Sequence, residues 1–307
     1  MKPLLSITYL IGSIWTVTIL LIGVQGRANY NLLPKDCGQT VHDRISRGNV
    51  TLVYQYPWMA IIRYTEKENI ADRCAGSLIN DRYVLTAAHC IRSKRLHSVV
   101  LGEHTKKQDL DCNNYYDLNG ALVERDCAEP VEEYGIESFE YHQDYNRPKY
   151  SNDIGLLRLN RRVIMKDHIQ PICLPVTSEL QSMTVNKYIV TGWGTTEDDT
   201  ASDALLEAVL PGVSNQACQK IYERYRLNIL LDSKQICAGG ENRVDSCRGD
   251  SGGPLGFIAN HEEGTRFVQF GIVSVGTGSC GQSSIPGVYS RVASYMDWIL
   301  DKMQPSY

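Results

Sequence analysis

The chain has 307 residues, enough for one large domain or two small ones with a sizeable core. It is 43% hydrophobic and 21% charged, with a formal net charge of −4. That balance argues against nucleic acid as the main partner, since such a partner selects a basic domain. Twenty-five glycines, weak helical periodicity and short Val/Ile/Tyr/Thr runs between turn residues favour an all-β architecture.

Residues 1–26 stand apart: Lys2 is the only charge before Arg27, and the stretch from Leu4 to Val24 is nearly all apolar. Val24 and Gly26 are small enough for the −3 and −1 sites of a signal-peptidase cut, so 1–26 is expected to be a signal peptide. An uncleaved anchor is the rival, because the stretch approaches the ~20 residues that span a bilayer; the small-residue exit favours cleavage and a secreted, extracellular protein without a membrane attachment. A short polar leader, 27–44, follows with Pro34 and the lone Cys37, and the main domain is expected over 45–307. Ten cysteines behind an export signal read as five disulfides. No CxxC pair occurs, which disfavours zinc. Strand-like runs fall at 83–86, 99–101, 154–159, 188–191, 267–275 and 288–292, spacing that suits barrels or sandwiches. Near the end Val292, Tyr295, Met296 and Ile299 recur at helical spacing and predict a C-terminal helix.

The densest chemical signal is 245–254, DSCRGDSGGP. Glycines flanking Ser251 let a substrate approach the backbone closely. A serine hydroxyl is a poor nucleophile and needs a base together with amide donors aimed at the developing oxyanion. Two further strings, LTAAHC with His89 and NDIGLLRL with Asp153, precede it in order. With GDSGGP they make the chain resemble the chymotrypsin/trypsin family of serine peptidases over essentially all of 45–306.

That resemblance implies two packed six-stranded antiparallel β-barrels with a C-terminal α-helix. It implies a catalytic triad of His89, Asp153 and Ser251, with an oxyanion hole from the amides of Gly249 and Ser251. Asp245 would form the base of the S1 pocket between Gly276 and Gly287, selecting Arg or Lys in a protein substrate. Val275 stands where trypsin-like enzymes usually carry Trp, which leaves the extended subsites unspecified. The Arg44–Ile45 bond would be cut by an upstream activating protease, freeing an Ile45 ammonium to pair with Asp250. Ser46 and Arg47 depart from the family start, and a cut at Arg47 is a competitor.

The family pairs the cysteines as Cys74–Cys90, Cys218–Cys237, Cys247–Cys280 and Cys37–Cys173, the last tethering the leader. The remaining pair, Cys112–Cys127, is extra, whereas Tyr188 and Phe257 occupy the positions of a bridge the family often has. The extra pair after LGEH, with DCAEP, QPICLP and QICAGG, is similar to arthropod clip-domain (Easter-like) haemolymph proteases, although the six-cysteine clip module itself is absent. Membership of that group implies an extracellular innate immune, melanisation or Toll-type cascade and a serpin-type inhibitor. It also implies a structural calcium site at Glu103 and Asp111 with the carbonyls of Thr105 and Gln108; catalysis itself is expected to need no cofactor. Asn49 heads a glycosylation sequon. The alternative function is a non-catalytic homologue acting as a cascade cofactor; the presence of His89, Asp153, Ser251 and Asp250 favours the enzyme. A digestive trypsin shares the chemistry, but the tethered leader and extra disulfide argue against it.

Overall fold

The computed structural model describes residues 29–39, 49–92, 94–196, 200–240, 246–262, 264–276 and 284–304; at Asn49 only the backbone is described. The expected signal peptide, the Arg44–Ile45 bond, Asp245 and Cys280 lie outside the described residues.

The first barrel closes on itself in the order Met59–Glu66, Asn69–Leu78, Tyr83–Thr86, Gly155–Leu159, Glu132–Tyr141 and Leu96–Leu101. Every pairing in it is antiparallel. The second is a ring of Leu206–Val213, Lys187–Gly192, Pro254–His261, Gly264–Val275, Gly287–Arg291 and Gln235–Ala238, closed by the pairing of the first with the last. The short strand Asn49–Val50 adds to its outside against Leu206–Val213. The fold is therefore two six-stranded antiparallel barrels, as the resemblance implied.

Strand Tyr83–Thr86 is buried along its whole length, so it reads as an apolar run without alternation, whereas the equally buried Gln235–Ala238 opens on a polar residue. Others are legible only in part. Asn69–Leu78 is exposed over its first half and buried over its second, and Leu206–Val213 carries Pro211, which weakens any strand signal. Helix Asn215–Arg224, not anticipated from periodicity, starts at Ser214, whose side chain accepts from the Ala217 amide at 3.3 Å. At the C-terminus Val292–Tyr295 forms a 3-10 turn that runs into helix Met296–Lys302, burying Met296, Ile299 and Leu300.

Disulfides join Cys37 to Cys173, Cys74 to Cys90, Cys112 to Cys127 and Cys218 to Cys237. Cys247 is also disulfide-bonded, and its expected partner Cys280 lies outside the described residues. Tyr188 and Phe257 both pack into one apolar cluster of the second barrel, where the Tyr188 ring meets Phe270 edge-on at 6.4 Å. Cys112–Cys127 staples the base of a two-stranded hairpin, Cys112–Tyr116 with Leu122–Cys127, that stands outside both barrels.

Candidate active site

His89 sits on the four-residue helix Ala88–Ile91, which follows directly on strand Tyr83–Thr86 of the first barrel. Asp153 precedes strand Gly155–Leu159 of the same barrel. Neighbouring strands thus bring together two residues 64 apart in sequence. Asp153 Oδ2 lies 2.7 Å from His89 Nδ1, and Oδ1 accepts from the His89 amide at 2.9 Å. The aspartate is 2% exposed, and a carboxylate so enclosed requires donors on its lone pairs. Ser274 supplies another, its hydroxyl donating to Oδ2 at 2.6 Å, while the Ser290 hydroxyl donates to the Asp153 carbonyl at 2.7 Å. Both serines come from strands of the second barrel. Sequence reading missed them, and no local signal marks them, because each acts across more than 100 residues of chain.

With its Nδ1 committed to Asp153, the imidazole is held in one orientation and its Nε2 is left for another partner. Nε2 lies 3.6 Å from Cys90 Sγ of the Cys74–Cys90 bridge. It is not hydrogen-bonded to Ser251 Oγ; catalytic contacts of this kind commonly close only with substrate in place.

Ser251 lies on the turn before strand Pro254–His261 of the second barrel. Its backbone is clamped between the barrels: the Ala75 amide donates to the Ser251 carbonyl at 2.8 Å, and the Gly252 amide donates to Val273 at 2.9 Å. Gly252 has φ +81°, and a Cβ there would meet Thr86 Oγ1 at 2.1 Å and the Ala75 carbonyl at 2.5 Å. Only glycine fits where the two barrels press together. Gly249 has φ +105°. Among the described residues neither its N–H nor that of Ser251 has an acceptor. Two such amides flanking a serine are donors available to an anionic oxygen.

Asp250, between them, turns away. Its Oδ1 accepts from the Gly194 amide and its Oδ2 from the Cys247 amide, both at 2.8 Å. A Cβ on Gly192 or Gly194 would overlap this carboxylate. Burial pushes its pKa up to about 6 against the pull of the two amides.

At the expected specificity pocket, Gly287 is buried in strand Gly287–Arg291, and Gly276 is exposed with only the Ser246 carbonyl, 4.0 Å away, near its missing Cβ. The Ser246 hydroxyl lies 3.0 Å from the Tyr289 hydroxyl. Asp245, the expected base of this pocket, lies outside the described residues. Val275 packs in the same apolar cluster as Tyr150.

In the loop expected to hold calcium, Asp111 is buried and accepts from the amides of His104 at 2.9 Å and Thr105 at 3.1 Å. The Thr105 carbonyl accepts from the Gln108 amide at 2.8 Å. Glu103 Oε1 is buried without a hydrogen-bond partner. Burial, and secondly the Asp111 charge, push Glu103 up to about 7. Two facing carboxyls with an orphan oxygen fit a hard divalent cation, although Arg63 and Lys106 add positive charge nearby.

Two closed antiparallel barrels with a buried Asp–His pair on one, and a glycine-flanked serine beside unpartnered amides on the other, define a trypsin-like serine peptidase. The family model for trypsin matches residues 45–299, and the chain belongs to that family. It is similar to the Drosophila melanogaster serine protease grass, 41% identical over 87% of this chain and 70% of that protein. It is also similar to the Bombyx mori CLIP domain-containing serine protease HP8, 39% identical over 89% of this chain and 74% of the other. A crystal structure of the Drosophila Grass clip serine protease of the Toll pathway superposes with a TM-score of 0.77 at 40% identity, covering 90% of this chain and 75% of that one. Among the described residues no helix is long and apolar enough to cross a membrane.

Proposed function

We propose that the protein is a secreted zymogen endopeptidase that cleaves after Arg or Lys. The observation that carries this reading is the Asp153 carboxylate fixing His89 through Nδ1 while the Gly249 and Ser251 amides stand without acceptors. In the proposed reaction His89 Nε2 takes the Ser251 hydroxyl proton as Oγ attacks the scissile carbonyl. The imidazolium so formed is stabilised by Asp153, whose oxygens are held in place by the Ser274 hydroxyl and the His89 amide. The carbonyl oxygen, now negative, is received by the two free amides, and His89 returns its proton to the leaving amine. Water then repeats the sequence on the acyl-enzyme.

Activity would await cleavage at Arg44–Ile45. In the uncut chain the residue 45 nitrogen is a neutral amide, and Asp250 sits in an enclosure that disfavours its charge. A freed Ile45 ammonium would supply the counter-charge and fix the loop carrying Gly249 and Ser251. Asp245 is the expected Arg/Lys determinant between Gly276 and Gly287.

The reading extends to an extracellular cascade of the innate immune, melanisation or Toll type, with an upstream activating protease, a protein substrate and a serpin-type inhibitor. It is supported by similarity to a Drosophila protein named Spaetzle-processing enzyme, 37% identical over 88% of this chain and 68% of that protein. Calcium at Glu103 and Asp111, with the Thr105 and Gln108 carbonyls, would serve stability, and catalysis requires no cofactor. A glycan at Asn49 belongs to the same proposal. The test is to cut purified zymogen at Arg44 and assay peptides with Arg, Lys, Phe or Ala at P1. Arg and Lys peptides are expected to be cleaved and Phe and Ala peptides not; preference for Phe would overturn the role of Asp245.

A further inference from the structure

The net charge of the chain is −4, yet residues 88–102 contain no carboxylate and three of its cations, Arg92, Lys94 and Arg95. This segment leaves the helix that carries His89 and runs into strand Leu96–Leu101. Arg92, Lys94, Arg95 and His97 are all exposed. Among the described residues none of the three cations forms an ion pair. The nearby Glu66 carboxylate, which feels Lys94, is bonded to Arg73 instead.

A second segment meets the first at its Arg92 end. The Arg92 guanidinium lies 5.6 Å over the Tyr145 ring, and Tyr145 begins the loop holding Arg147 and Lys149, also exposed and unpaired. Asp144 is the one carboxylate of residues 141–150. The Lys149 ammonium lies 4.7 Å over the Tyr150 ring, and that of Lys94 lies 5.6 Å over Tyr64. Each of these rings holds a cation with its charge toward solvent, at less conformational freedom than a free surface lysine has. Tyr150 in turn packs in the cluster of Val275, next to the Ser274 that bonds Asp153. The cations therefore border the His89 side of the site and are not scattered over the molecule.

An acidic protein that gathers five unpaired cations beside its site presents a field opposite to its net charge. We propose that this rim of Arg92, Lys94, Arg95, Arg147 and Lys149 is a docking surface for an acidic segment of the protein substrate, flanking the scissile bond. The proposal rests on the peptidase reading above. Fixed positive charge at the rim raises the encounter rate of an acidic chain and orients it, while leaving a short uncharged substrate unaffected. Position favours a substrate segment over a free polysaccharide polyanion, because the patch abuts the residues that act on the scissile bond.

The test compares Arg-containing peptides that carry four Glu or four Gln on either side of the Arg, with a small Arg amide as reference. The enzymes are the cut wild type and a Lys94→Glu/Arg95→Glu/Lys149→Glu variant, with Lys220→Glu, exposed on helix Asn215–Arg224 of the second half of the chain, as charge control. For wild type, one of the two Glu-extended peptides should exceed its Gln twin in kcat/KM by roughly tenfold, the low end of steering effects. That gain should collapse on raising salt from about 0.05 to 0.5 M and invert in the triple variant but not in Lys220→Glu. A milder Lys94→Gln/Arg95→Gln variant should lose most of the gain if charge reversal impairs folding. Equal rates for Glu and Gln peptides, or a gain that survives the substitutions, would overturn the proposal. Binding of heparin at the rim without any Glu-over-Gln preference would also overturn it, in favour of a polyanion cofactor. Failure on the small Arg amide would instead count against the peptidase reading itself.

Discussion

Replacing Asp250 by Asn keeps the shape of the side chain and removes its charge. In the structure both carboxylate oxygens accept a backbone amide, Gly194 on one and Cys247 on the other, at 2.8 Å each. An amide group offers one oxygen, so one of those buried N–H groups loses its partner, at about 1–3 kcal/mol. After activation the Ile45 ammonium would also lack a counter-charge, and breaking a buried pair from one side costs about 3–5 kcal/mol. Taken through the oxyanion loop, the larger figure alone predicts a fall of roughly 10²- to 10⁴-fold in kcat/KM at about 1.36 kcal/mol per decade. The uncut chain should respond differently. There the folded-state pKa of Asp250 is raised from 3.8 to about 6 by burial. Its contribution is therefore fully present below pH ~4 and lost as pH rises through about 6, amounting to about 3 kcal/mol. Uncut Asp250→Asn should lack that pH 4–6 decline, measured by urea unfolding, while the cut variant is assayed with an Arg amide. A cut Asp250→Asn enzyme of wild-type kcat/KM would refute the reasoning.

Gly252→Ala would push a Cβ to 2.1 Å from Thr86 Oγ1 and 2.5 Å from the Ala75 carbonyl, at φ +81°. Overpacking of about 1–3 kcal/mol is expected, read by denaturation, with loss of amidolysis because Ser251 is displaced. Gly249→Pro removes one oxyanion donor and forbids φ +105°. At about 3 kcal/mol it should lower kcat some 10²-fold or more with the fold retained by circular dichroism. Glu103 is raised to about 7, so its contribution without calcium is present below pH ~4 and lost as pH rises through about 7. Calcium should therefore raise the melting temperature at pH 8, and Glu103→Gln should be insensitive to calcium or chelator; equal wild-type melting in both would remove the metal from the account. Removing the Cys112–Cys127 staple with two serines should cost up to about 3 kcal/mol for its 15-residue separation. Amidolysis of a small Arg substrate should be unchanged, since the hairpin stands apart from His89 and Ser251.

The parts legible in sequence were those with short-range signatures. The six apolar runs all lie within or across observed strands, from Tyr83–Thr86 to Gly287–Arg291, because buried strands are continuously hydrophobic. The strings around His89, Asp153 and Ser251 are short-range signatures that place the chemistry in the sequence itself, and the trypsin family model matches residues 45–299. Less visible were strands with a solvated half, such as Asn69–Leu78 and Glu132–Tyr141, whose exposed residues mask any alternation. Ser274 and Ser290 carry no motif of their own; their role exists only where the second barrel meets Asp153. The same holds for Gly192 and Gly194, whose missing side chains make room for Asp250. The cationic rim was illegible because the overall charge is negative, and only folding sets Arg92 beside Tyr145.

The central claim is that Ser251 becomes a nucleophile, through His89 and Asp153, when Ile45 is released to Asp250. It is tested most directly by treating the protein with a phosphonofluoridate-type serine reagent before and after cleavage at Arg44, then locating the adduct by peptide mass spectrometry. The account predicts stoichiometric modification of Ser251 in the cut protein, little in the uncut one, and none in cut His89→Ala. Equal labelling before and after cleavage, or an adduct on another residue, would contradict it.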